Sequence, residues 1–132
     1  RLEAEQVRRA LEVSVRTSRP TVAEGLMSIK GFERAGNVEA VVAAMRHQSV
    51  SPRVQDHACR ALCYMAGRLA QYRTRAGEAG AFEVVVAAMR NHARSTGVQA
   101  KACWALSNMS IRNAENTTRA GEAGAVEAVV AA

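Results

Sequence analysis

Aromatic side chains are scarce here: one tryptophan, two tyrosines and two phenylalanines make up 4% of the 132 residues. The apolar fraction is instead dominated by alanine and valine, and alanine is the best helix former, which favours close-packed helices over a β-sandwich. Proline is equally rare. Pro20 and Pro52 both lie outside the strongly apolar stretches, so the periodic segments are free to be helical. No apolar run approaches the roughly 18 residues that a membrane span needs, and the N-terminus lacks a signal-peptide layout, so no membrane segment is expected. The three cysteines, Cys59, Cys63 and Cys103, are too few and wrongly spaced for a disulfide framework. Their odd number in a helical chain points to reduced thiols and an intracellular, cytoplasmic or nuclear, location.

Catalytic motifs are missing as well. There is no glycine-rich phosphate loop, no HExxH, no GxSxG and no pair of acids in a recognisable setting, so neither enzymatic activity nor a cofactor is expected. The histidines are His47, His57 and His92. His57, Cys59 and Cys63 fall within two helical turns, a spacing that could hold part of a zinc site. A packing role explains the cysteines better: Cys59 has a counterpart in Cys103, whereas Cys63 is replaced by Ser107, and no metal is expected. The sequons at Asn108 and Asn116 are read the same way, because reduced thiols argue against secretion.

What the chain does have is an internal repeat. GNVEAVVAAMR begins at Gly36, GAFEVVVAAMR at Gly80 and GAVEAVVAA at Gly124, a period of 44 residues. VQDHACRALCYMA from Val54 aligns with VQAKACWALSNMS from Val98 at the same period. Val54, Ala58, Ala61, Leu62 and Met65 recur at intervals of three and four, the stripe of one buried helix face, and Val98, Ala102, Ala105, Leu106 and Met109 repeat it. Ser51 before Pro52 marks an N-cap, and Ser95 or Thr96 can cap the equivalent helix. A shorter helix is expected over Glu39 to Arg46 and again over Glu83 to Arg90, entered through a glycine, with a brief helix ending near Ala79 before it.

Three helices per unit, with a glycine between the first and second and a long Ala/Leu-rich third, resemble the armadillo repeat. Trp104-Ala105-Leu106-Ser107-Asn108-Met109 is similar to that family's third-helix motif, and Ala123-Gly124-Ala125-Val126-Glu127 to its first junction; the likeness runs from about Lys30 to Ala132. The resemblance implies an all-α fold, a right-handed α-α superhelix with about three helices per 44-residue repeat. Residues 1–132 then form a single solenoid fragment: an atypical capping or truncated repeat over 1–35, units over 36–79 and 80–123, and the start of a third over 124–132. In the N-terminal part, Leu2, Val7, Ala10, Leu11 and Val15 suit one amphipathic helix and Val22, Leu26 and Ile29 another. A chain that opens on Arg1 and stops inside a second helix is expected to be a piece of something longer.

The third helices also suggest a binding face. Lys101, Trp104 and Asn108 fall at i, i+3, i+7, offset from the buried stripe, and His57, Arg60 and Tyr64 stand at the equivalent positions. Stacked helices would align them into a groove on the inner surface. In armadillo proteins resembling importin-α such an Asn hydrogen-bonds the ligand backbone and such a Trp packs on its side chains; the resemblance implies these roles for Asn108 and Trp104 alone. Arg60 and Tyr64 break the pattern in the preceding unit. With Arg60, Lys101, His57 and Arg53 nearby and a net charge of +6, the groove is expected to take an extended, acidic peptide or protein, as β-catenin-type relatives do, with Arg60 and Lys101 meeting carboxylates. Self-association through the solenoid ends is the alternative, and nucleic-acid binding is disfavoured by the few aromatics and the mixed Glu and Arg surface.

Overall fold

The computed structural model describes residues 38–132, all of whose regular structure is helical. Seven helices follow one another: α1 (Val38–His47), α2 (Pro52–Arg68), α3 (Ala70–Ala79), α4 (Ala81–Asn91), α5 (Thr96–Met109), α6 (Ala114–Ala123) and α7 (Ala125–Ala131). The helices expected before Gly36, and the unit assigned to 1–35, lie outside the described residues.

Each boundary has a local chemical cause. Ser51 accepts a hydrogen bond from the Val54 N–H and Pro52 sits in the first turn, so α2 is capped as its sequence indicates. Ser95 does the same for Val98 at the start of α5; Thr96 is the first helical residue and not the cap. Gly80 and Gly124 adopt left-handed backbone, with φ of 85° and 83°, and their N–H groups bond back to carbonyls of the preceding helix. Any side chain there would be strained, so the glycine is what lets α3 turn directly into α4 and α6 into α7. One expectation is corrected in length. The helix before the glycine is not brief, since α3 and α6 each run for ten residues, matching α1.

Packing follows the repeat. Val54, Ala58, Ala61, Leu62 and Met65 of α2 are buried, as are their α5 counterparts Val98, Ala102, Ala105, Leu106 and Met109. They join Val41, Val42 and Met45 of α1 and Phe82, Val85, Val86 and Met89 of α4 in one continuous cluster. Alanines at the contact points leave room for helices to approach closely, which is how so few aromatics suffice. Cys59 packs in this cluster and is fully buried, as its repeat position implied. Burial, with Asp56 nearby, pushes its thiol up to about 12.

Two polar devices hold the helices in register. Gln55 is buried and donates through Nε2 to the carbonyls of Met45 (3.1 Å) and Gln48 (2.9 Å). Gln99 repeats this with Met89 (2.8 Å) and His92 (3.1 Å). Each glutamine therefore satisfies carbonyls left over at the end of the preceding short helix. The second device is Asn116, fully buried, whose Nδ2 donates to Arg73 O (2.7 Å) and Met109 O (2.8 Å) and so ties α6 to both α3 and the end of α5. That burial also closes the sequon at Asn116 to modification in the folded chain.

Candidate partner-binding surface

α2 and α5 form the most extensive helix pair and run side by side in the same direction. Two cross-links show it: Lys101 Nζ meets Asp56 Oδ1 at 3.5 Å near their starts, and Asn108 Nδ2 donates to Cys63 O at 2.9 Å near their ends. The Asn108 amide also lies 3.2 Å from the Cys63 sulfur. Gly67 makes space for this contact, because a Cβ there would come to 3.0 Å from Asn108 Nδ2.

These contacts divide the six expected surface residues into two groups. Lys101 and Asn108 are half-buried and turn towards α2, where Asp56 and Cys63 already engage their polar groups. Lys101 is thus a cation with an internal partner, and the Asn108 amide nitrogen is a helix-to-helix clamp. Arg60, His57, Tyr64 and Trp104 are exposed. Trp104 is 60% and Tyr64 45% accessible, so neither has been used as core despite its area. Arg60 and Trp104 hold equivalent positions on the two helices, one turn away from the clamping residues. Arg60 has no acidic partner among the described residues, and the Arg68 guanidinium lies 5.6 Å from the Tyr64 ring centre.

Tyr64 has a second role. Together with Met65, Arg68, Leu69 and Tyr72 it lines a cavity of about 270 Å³ at the bend between α2 and α3. Leu69 and Tyr72 belong neither to the buried stripe nor to the third-helix face, so the periodicity does not mark them. Their departure from the repeat was the available signal: the residues 44 further on are Asn113 and Asn116.

Elsewhere the surface carries scattered charges, a few of them in ion pairs. Arg75 makes two hydrogen bonds to Glu39 (2.7 and 3.1 Å), tying α3 to α1, and these bonds hold the Glu39 carboxyl below its ordinary value. Cys63 is partly buried, which raises its thiol, and the three cysteines are unpaired. Among the described residues no three His, Cys, Asp or Glu side chains converge on a point that could hold a metal ion, and no helix is long and apolar enough to cross a membrane.

No family model, curated protein or solved structure matches the chain.

Proposed function

We propose that this protein is a non-enzymatic interaction module of armadillo type, in which α2 and α5 line the inner face of a right-handed superhelix and bind an extended acidic segment. The observation that carries the reading is the exposure of Trp104 and Tyr64 beside Arg60, on helices whose opposite faces are fully buried. Leaving these rings about half in water forgoes about half of the roughly 1.5–3 kcal/mol that full burial of such a side chain is worth. Rings grouped with a cation such as Arg60 on one face are what a partner's side chains and carboxylates use. The 44-residue recurrence of caps, glutamine clamps and glycine turns supports the solenoid part of the reading.

The geometry refines the roles. Arg60 is the leading carboxylate contact, while Lys101 contributes only where a partner competes with Asp56. Trp104 supplies a stacking platform, and Asn108 accepts from a main-chain N–H through the oxygen that its clamp leaves over. The test uses Trp104 as reporter, since it is the only tryptophan. A fluorescein-labelled nonapeptide of eight glutamates around a central serine should bind and change Trp104 emission, and the lysine equivalent should not. Arg60→Ala should weaken it several-fold, and rising salt should do the same, with far-ultraviolet circular dichroism unchanged. Equal binding of the lysine peptide would sink the acidic-partner reading.

Self-association is a second reading with its own observation. Val126, Val129 and Val130 of α7 are exposed, whereas their equivalents Phe82, Val85 and Val86 in α4 are buried. A second copy covering α7 would bury them. Sedimentation equilibrium should then show a dimer that Val130→Lys dissociates; a monomer at all concentrations excludes it.

A further inference from the structure

We infer that the cavity between Tyr64, Leu69 and Tyr72 is a subsite for one aliphatic side chain of the acidic partner, an inference that rests on the acidic-segment reading above. The first observation is Leu69. It stands at the N-cap of α3, where its side chain makes no capping hydrogen bond, and it is 46% exposed. Leucine is a poor choice for the first of these, since an N-cap asks for Ser, Thr, Asp or Asn. The equivalent residue of the next unit is Asn113, which does cap α6 by accepting from the Asn116 N–H at 3.0 Å. The connection there is longer, Ser110 to Asn113, whereas Leu69 alone joins α2 to α3, and only the longer connection carries a side-chain cap.

The second observation is the cavity itself. In the next unit the position of Tyr72 is held by Asn116, whose amide reaches Met109 O and Arg73 O and draws α6 onto its neighbours. A tyrosine has no such amide, and Tyr72 instead stands as one wall of an open space of about 270 Å³ with Tyr64, Met65, Arg68 and Leu69 as the others. Its lining mixes the two tyrosine rings and the Met65 and Leu69 chains with the Arg68 side chain, whose guanidinium lies 5.6 Å from the Tyr64 ring centre, and Arg75 stands 5.9 Å from that of Tyr72. Arg60 lies one helical turn before Tyr64 on the same exposed arc of α2. A segment laid along α2 can thus place a carboxylate at Arg60 and, a residue or two further on, an aliphatic side chain against Leu69 and the two rings. Replacing water in such a site is worth about tenfold in affinity when roughly half of a leucine side chain is buried.

The experiment uses the full chain, the serine-centred glutamate nonapeptide described above and its twin with leucine at the centre, read by anisotropy. The leucine peptide should bind about tenfold more tightly than the serine peptide. Leu69→Asn, the residue this protein uses 44 positions later, should abolish that preference, leave the serine peptide's affinity unchanged and leave the melting temperature equal or higher. If the two peptides bind the unaltered protein equally, the subsite is wrong while the acidic-segment reading stands. If neither binds, both fall. A lower melting temperature for Leu69→Asn would make Leu69 a packing residue and overturn the proposal, as would retention of the leucine preference in that variant. A single-stranded decathymidylate that binds more tightly than either peptide and loses affinity on Leu69→Asn would assign the cavity to a nucleobase and overturn it too.

Discussion

Gly77 and Gly121 occupy equivalent positions in α3 and α6, yet the same substitution should move stability in opposite directions. A Cβ on Gly77 would overlap the carboxamide oxygen of Asn116 and come within 2.6 Å of Arg119 Nη1. Arg119 can swing away, but Asn116 cannot: it is fully buried, and its nitrogen holds two main-chain carbonyls while its oxygen accepts from Arg119 at 2.9 Å. Displacing it forfeits two hydrogen bonds and strands buried groups, about 3 kcal/mol. Alanine's helix propensity returns about 1 kcal/mol, so Gly77→Ala should lose about 2 kcal/mol. A Cβ on Gly121 meets nothing within 4 Å, and Gly121→Ala should gain about 0.5–1 kcal/mol from propensity alone. In a domain of this size these shifts correspond to a melting temperature about 10 °C lower and a few degrees higher, measured by circular dichroism. The mechanism can be isolated by a double-mutant cycle. In an Asn116→Ala background the clash is gone, and Gly77→Ala should become neutral or stabilising. The reasoning is refuted if Gly77→Ala melts at or above the parent, or if the Asn116→Ala background leaves its cost unchanged.

Four further outcomes follow from the same geometry. Gln55→Leu leaves the Met45 and Gln48 carbonyls without their donor and should cost about 2 kcal/mol in urea denaturation; no loss would mean that the clamp is redundant. Native-state alkylation with iodoacetamide, read by mass spectrometry, should label Cys63 and Cys103 before the buried Cys59. Because burial raises the Cys59 thiol to about 12 from its ordinary 9.0, its contribution to stability is complete below about pH 9 and is lost as pH rises towards 12; Cys59→Ala should flatten that alkaline decline. The Glu39 carboxyl is held low chiefly by its hydrogen bonds to Arg75, so the pair should help fully above pH 4.5 and fade as pH falls below it. Both groups are well exposed, and Glu39→Gln should cost no more than about 0.5 kcal/mol at neutral pH.

Helix positions, buried stripes and turns were legible from residues alone, because each depends on neighbours within a few positions of the chain. Ser51 caps α2 through a bond three residues away, Gly80 turns because only glycine tolerates its backbone, and Val54 to Met65 declare their buried face by spacing. The 44-residue period carried this further, since what is true of α2 holds again for α5. The long-range contacts were not legible in this way. Nothing in the pattern around Asn108 says that its amide is spent on Cys63, 45 residues away, or that Lys101 faces Asp56 while Arg60 has no acidic partner among the described residues. Nor does the local sequence distinguish Gly77, pressed against Asn116, from Gly121, which faces open space. Those differences arise where one helix meets another, and they decide which polar groups remain available to a partner. The helices and the outward face of α2 and α5 were therefore written into short stretches of the chain, whereas packing alone decided that Lys101 and Asn108 turn to α2 while Arg60, Tyr64 and Trp104 stay exposed, and that Leu69 is exposed near them.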